Sequence, residues 1–192
     1  MDIYRTIAAP AEGLYKEKGS RFLAFAFPVQ EEGQIKIILS ELKGKYHDAR
    51  HRCYAYMIGV DEGALIFRVS DDGEPSSTAG RPILGQIRTL GLTNVLIVVV
   101  RYFGGTKLGV SGLATAYKMA AADALAHAEI VEQSVRVVLD IQFDYAELNS
   151  VMRIIKEVDA EVLRREYGEK CKLTVSVRKT VSSYFCNIFN VF

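Results

Sequence analysis

The sequence predicts an α+β protein of two domains, on three observations. Strand-like and helix-like patterns alternate along the 192 residues. The uninterrupted apolar run Val95–Val100, as long as any in the chain, is rich in β-branched residues and has the length of a strand covered on both faces. Near residues 131–134 the order of elements restarts with a strand, a helix and two more strands.

In order, Tyr4 to Phe27 reads as two short strands around the turn KEKGS. Gly19 and Ser20 suit the reversal, and RFLAFAF suits a buried strand. EEGQIKIILSELKGKYHDAR places Ile35, Ile38, Leu39 and Leu42 at spacings of three and four, an amphipathic helix stopped by Gly44. HRCYAYMIGV and ALIFRVS are strands joined by Asp61, Glu62 and Gly63, a hairpin composition. ILGQIRTLG is a short helix ended by Gly91, VLIVVVRYF a central strand, and GLATAYKMAAADALAHAEI a long alanine-rich helix.

The second pattern opens with the strand VRVVLDIQF. The helix YAELNSVMRIIKEV follows, with Leu148, Val151, Met152 and Ile155 on one face. AEVLRREYG and CKLTVSVRK are strands around Gly168, and VSSYFCNIFNVF begins a helix with Phe185, Ile188, Phe189 and Phe192 inward. This β-α-β-β-α order is close to a ferredoxin-like unit. The predicted domains are residues 1–132 and 133–192.

Composition narrows the function. Hydrophobic residues make up 49% and charged residues 24%, as in an ordinary globular protein. The formal net charge is +1, and residues 133–192 carry nine Lys or Arg against eight Asp or Glu. A strongly basic nucleic-acid footprint is therefore excluded, and any such contact needs a local patch. Three cysteines without zinc spacing make a poor disulfide framework. The N-terminus lacks a basic region followed by an apolar core, and no run is long enough for a membrane helix. The expected home is the cytoplasm, with no membrane partner and no cofactor.

Two loops carry chemistry. SDDGEPSSTAGRP brings Asp71, Asp72 and Glu74 within four residues. Such a cluster holds a hard cation, ties down loop amides or pairs with arginines; no complete coordination shell is visible, so a metal stays open. Ser76, Ser77 and Thr78 have no histidine at a spacing that suggests a nucleophile. In VVVRYFGGTKLGVSG, a glycine loop joins a strand to a helix, with Arg101, Gly104, Gly105 and Lys107. Amides at a helix start favour anions, and the two cations reinforce them. The spacing matches neither a P-loop nor a dinucleotide fingerprint. The alternative is that the glycines allow a tight backbone crossing, with Arg101 paired to the acidic loop. A third, architectural reading has Arg81 and Arg101 clamp Asp71 and Asp72.

His51 and Cys53 share one side of a strand near His47, where a buried structural cysteine is commoner than a catalytic thiolate, so no catalytic residue is assigned. Arg164, Arg165, Lys172 and Arg178 gather on paired strands and are candidate RNA contacts, although Glu161, Glu166 and Glu169 interleave as on a solvated face.

SDDGEPSSTAGRPIL followed by VVVRYFGGTKLGVSGL and AY resembles the signature of the YigZ/IMPACT family. HDARHRCYAY, through His51 and Cys53, and KGSRFLA fit as well, so the resemblance spans residues 1 to about 130. It implies an N-terminal domain like ribosomal protein S5 domain 2, with a left-handed βαβ crossover. It also implies a C-terminal ferredoxin-like domain similar to the last domain of translation factor G. Eukaryotic members regulate translation initiation through protein partners, nucleic-acid or ribosome binding is the usual proposal for bacterial ones, and no enzymatic activity comes with the family. Ser77 and Ser111 stand where the family's motif has glycine, and the chain ends at NIFNVF where members run further.

The predicted function is a non-catalytic cytoplasmic regulator related to translation that binds RNA, ribosome or translation factors. The alternative is an enzyme or sensor for a small phosphorylated or anionic ligand held between the acidic loop, with Arg81, and the glycine loop. Both require the two loops to converge on one charged pocket lined by Arg101 and Lys107.

Overall fold

The computed structural model describes residues 3–60 and 62–191. In chain order its first elements are β1 (Ile3–Ile7), β2 (Ala11–Glu17), β3 (Ser20–Pro28), α1 (Glu32–Lys45), β4 (His51–Ile58) and β5 (Ile66–Ser70). Then come α2 (Gly80–Thr89), β6 (Val95–Tyr102), α3 (Gly109–Ala126) and β7 (Ile130–Ser134). Contacts assign Tyr4–Glu132 to one unit and place Gln133 onward in a second.

The β-branched run of β6 explains the first unit. It is the middle strand of a five-stranded sheet of order β2-β3-β6-β4-β5, antiparallel to both neighbours. Its Ile97 and Val99 point to a core shared with Ile83 and Ile87 of α2 and Leu113, Ala116, Tyr117 and Ala120 of α3. Leu96, Val98 and Val100 point the other way, onto Ile35 and Leu42 of α1. A strand apolar on both sides is thus buried on both sides.

Three expectations change here. The segment before Phe27 holds three strands rather than two, because β1 leaves the main sheet to pair with β7. α1 runs through Gly44 to Lys45, since a glycine weakens a helix without ending it. α2 starts at Gly80, inside the predicted loop, because a carboxylate from earlier in the chain caps it (below). Of the predicted hairpin turn, Asp61 lies outside the described residues, and Glu62–Ala64 forms a single 3-10 turn.

The second unit contains β8 (Arg136–Phe143), α4 (Leu148–Glu157), β9 (Glu161–Tyr167), β10 (Cys171–Arg178), α5 (Lys179–Ile188) and β11 (Asn190–Val191). The sheet order is β11-β8-β10-β9, with every pairing antiparallel. Alternate residues of β8 and β10, among them Ile141, Phe143, Leu173, Val175 and Val177, meet Val151, Ile155 and Phe185 in one core. α5 stops at Ile188, which is 42% exposed, and Phe189 enters the core from an extended position beyond the helix. The expectation that Ile188 faces inward fails for that reason, and Phe192 lies outside the described residues. Among the described residues no helix is long and apolar enough to cross a membrane.

Candidate functional site

The three loop carboxylates diverge. Asp71 accepts the amides of Ala79 at 2.9 Å and Gly80 at 2.8 Å on Oδ1, and that of Ser77 at 2.8 Å on Oδ2. It therefore caps α2 from eight residues upstream of the first capped amide, where helix donors otherwise lack partners. Burial resists its ionisation, yet the amides of Gly80, Ser77 and Ala79 and the charge of Arg81 outweigh that and hold the carboxyl below its usual range. Asp72 accepts the Arg52 amide at 2.7 Å, and its carbonyl lies 2.8 Å from His51 Nδ1. Glu74 turns inward. Among the described residues no three His, Cys, Asp or Glu side chains converge as metal ligands. Ser77 does adopt the left-handed backbone expected of the motif's glycine, with φ 65°, while Ser111 lies in the first turn of α3 and needs no such angle.

Glu74 Oε1 accepts two bonds, from Arg101 Nη1 at 2.6 Å and from the Tyr117 hydroxyl at 2.8 Å. The Cys53 thiol lies 3.3 Å from that hydroxyl and 3.0 Å from the Asp71 carbonyl. Burial pushes the Cys53 thiol and the Tyr117 phenol far up, so both stay protonated and Cys53 is no thiolate nucleophile. The Arg101 guanidinium also covers the Phe22 and Phe103 rings at 5.4 and 5.6 Å from their centroids. Arg101 thus pairs with Glu74, and Asp72 with Arg52 at 3.8 Å, instead of the Arg81 and Arg101 clamp on Asp71 and Asp72. Tyr117 was not singled out from sequence. Its signal was a lone hydroxyl on a stripe of alanines and Leu113, a position that demands a buried partner.

The glycine loop crosses the β2–β3 turn. A Cβ on Gly104 would stand 1.9 Å from the Gly19 carbonyl carbon and 2.1 Å from the Ser20 nitrogen, so only glycine fits. The Gly104 amide donates to Ser20 Oγ at 3.1 Å, which takes it out of any anion site. Gly105 and Gly109 have φ of 90° and 74° and turn the chain into α3. The first turn of α3 has no side-chain cap.

The two loops meet at an open cleft of about 830 Å³. Arg50, His51, Glu74, Pro75, Arg101, Phe103, Lys107 and the start of α3 at Gly109 and Val110 line it. Arg101 is buried at its floor, whereas Arg50, Lys107 and Phe103 are exposed. Arg81 is not brought there: it sits on the outer stripe of α2, lining a separate hollow.

In the second unit, register puts Lys172 opposite Glu166 and Arg164 opposite Thr174, on the sheet face away from the core. Arg178, two residues on from Ser176, shares that face. Arg165 pairs with the buried Leu173 and so falls on the other face, at the sheet edge. Glu166 holds Arg164 at 2.7 Å, and Thr174 donates to Asp140 at 2.6 Å, so the open face is of mixed sign.

Fold and site define a two-unit α+β protein whose first unit locks an acidic loop onto β4, β6 and α3 through a buried arginine, glutamate, tyrosine and thiol. The family described as the Impact N-terminal domain matches residues 18–125, a span that contains that whole network. The chain belongs to the IMPACT family. It is 31% identical over 182 residues to IMPACT family member YvyE of Bacillus subtilis (strain 168), covering 95% of this chain and 83% of that protein. It is 29% identical over 177 residues to IMPACT family member YigZ of Escherichia coli (strain K12), covering 92% and 87%. A crystal structure described as a hypothetical protein matches 96% of this chain and 90% of its own with a TM-score of 0.75 at 28% identity.

Proposed function

We propose that this protein is a non-catalytic cytoplasmic regulator related to translation, and that the cleft between its two loops binds a single-stranded segment of RNA. Family membership supports the translation link. One observation carries the binding mode: exposed Arg50 and Lys107, the uncapped start of α3 and the exposed Phe103 ring all border one cleft. Cations for phosphate beside an aromatic face for a base is the chemistry by which proteins hold unpaired RNA. Two carboxylates also line the cleft: Arg101 neutralises Glu74, and against Asp48, which accepts the Tyr102 hydroxyl, Arg50 and Lys107 leave the net charge there positive. The acid and phenol of the site are committed to each other and to Arg101, which favours binding over catalysis.

The strand order β11-β8-β10-β9 of a β-α-β-β-α-β chain supports a ferredoxin-like reading of the second unit, and the IMPACT relationship supports an S5-like reading of the first. Arg164, Lys172 and Arg178 then offer a weaker second contact on the open sheet.

The test is anisotropy of a fluorescein-labelled 12-nucleotide RNA at low and moderate salt. Arg50→Ala with Lys107→Ala is expected to weaken binding at least fivefold and to reduce the salt slope by about one per lost phosphate contact. Phe103→Ala weakens it without changing that slope. No binding at low salt overturns the proposal. A small phosphorylated ligand is the second reading, favoured by a cleft volume within the range of small-molecule sites. A concentration-dependent thermal shift with a nucleotide, without RNA affinity, selects it.

A further inference from the structure

β5 ends its sheet, and among the described residues no strand pairs with its outer edge. Natural proteins blunt such edges with charge or cover them. Here Arg68 is the single charge on the strand, while Ile66 and Phe67 stand 51% and 54% exposed. Register puts Phe67 and Val69 opposite Met57 and Ala55, on the α2 side of the sheet. α2 presents Arg81, Leu84, Gly85 and Arg88 there, at the spacing of a single helical stripe. Strand and helix enclose an open groove of about 390 Å³.

Two features say what fits it. The Arg88 guanidinium lies 4.7 Å from the Phe67 ring centroid, and among the described residues neither Arg81 nor Arg88 forms an ion pair. The groove therefore joins apolar surface to two cations that no carboxylate holds in an ion pair, although Arg81 also stabilises the Asp71 carboxylate from further off. Gly85, in the middle of a helix, is less stable there than alanine, yet nothing lies within 4 Å of where its Cβ would stand. Packing within this chain does not require that glycine, and it leaves the groove open beside Leu84.

The geometry points to a docking site for an extended acidic segment of a partner protein, which adds a strand to β5 and lays alternate side chains in the groove. The exposed edge supplies main-chain hydrogen bonds, while Phe67, Val69 and Leu84 receive apolar side chains. Arg81 and Arg88 select carboxylates. The site lies on α2 and β5, away from the residues that line the cleft, and does not depend on the RNA reading.

The test titrates the full chain with a fluorescent nine-residue peptide alternating valine with glutamate. Controls are the same peptide with lysine for glutamate, and one with N-methyl groups on the edge that would pair. Saturable binding of the acidic peptide is expected, with NMR amide shifts concentrated at Ile66–Ser70. Both controls should bind at least tenfold more weakly. Arg81→Glu with Arg88→Glu should cost at least fivefold, as should Gly85→Leu, with unfolding temperatures showing that the variants are folded. No binding, equal binding of either control, or shifts centred elsewhere overturns the proposal. So does a dimer in analytical ultracentrifugation that Phe67→Lys abolishes, because a second copy then occupies the edge.

Discussion

Arg101 and Glu74 meet at 2.6 Å with side chains only 8% and 4% exposed, so the acidic loop is fastened to the end of β6 by a buried ion pair. Desolvating two charges is expensive, and attraction between them offsets that cost only while both are present. Arg101→Met or Glu74→Gln alone is therefore expected to destabilise the protein by about 3 kcal/mol or more, since each strands a buried charge. The double variant should cost less than the sum by well over ~1 kcal/mol. Tyr117→Phe, which removes one donor to Glu74, should cost about 1–3 kcal/mol. Urea unfolding measures all four; a coupling near zero would show the pair to be incidental.

Two glycines should respond to alanine with opposite signs. At Gly104 the new methyl meets backbone of Gly19 and Ser20 inside 2.2 Å, and neither can swing away. Gly104→Ala should lose about 3 kcal/mol or more, at the upper end of overpacking, and disturb the cleft. At Gly85 the space is empty and the backbone helical, so alanine should add about 0.5–1 kcal/mol. Thermal unfolding of the two variants decides; a stabilised Gly104→Ala would refute the crossing geometry.

Much of the fold was legible because periodicity reports burial directly. Val95–Val100 reads as a strand covered twice, and it is; Ile35 and Leu42 read as a core-facing helix stripe, and they pack there. What escaped the sequence depends on partners distant along the chain. The start of α2 is fixed by Asp71, whose distance in sequence no local capping pattern covers. β1 and β7 are paired across more than a hundred residues. At the site, the convergence of Glu74, Arg101 and Lys107 on one cleft followed from reading the loops as neighbours. The spread of the carboxylates did not, because Asp71, Asp72 and Glu74 look equivalent in sequence and only the fold gives each a separate partner. Arg81 fell outside the cleft because its helix begins earlier than propensity suggests, which turns the side chain outward.

Acid should loosen the acidic loop through Asp71. Its folded-state pKa is depressed, so the stabilisation it provides is fully present above the unfolded value of about 3.9 and is lost as pH falls through the lower folded value. Asp48, whose carboxylate accepts the Tyr102 hydroxyl at 2.7 Å, is lowered too and adds to the same loss. Wild-type unfolding temperature should hold from neutral pH to about 5 and then fall below about 4. Asp71→Asn should start less stable and fall less steeply over that range. Parallel curves would mean that the amide cradle does not favour the ionised form.

The three thiols should separate cleanly in a native titration with an aromatic disulfide reagent. Cys186 is exposed on α5, whereas Cys53 and Cys171 are fully buried. Reaction needs a thiolate that the reagent can reach. Cys53 fails on both counts, because burial under the acidic loop pushes its thiol well up and the carboxylates of Glu74, Asp72 and Asp71 push it further. One equivalent should react promptly and be abolished by Cys186→Ser, with the other two appearing only at the rate of unfolding. Arg101→Met should then speed the appearance of the Cys53 equivalent specifically, because the loop that covers the thiol loses its fastening to β6. Prompt reaction of two or more thiols in the wild-type protein would contradict the closed loop described above.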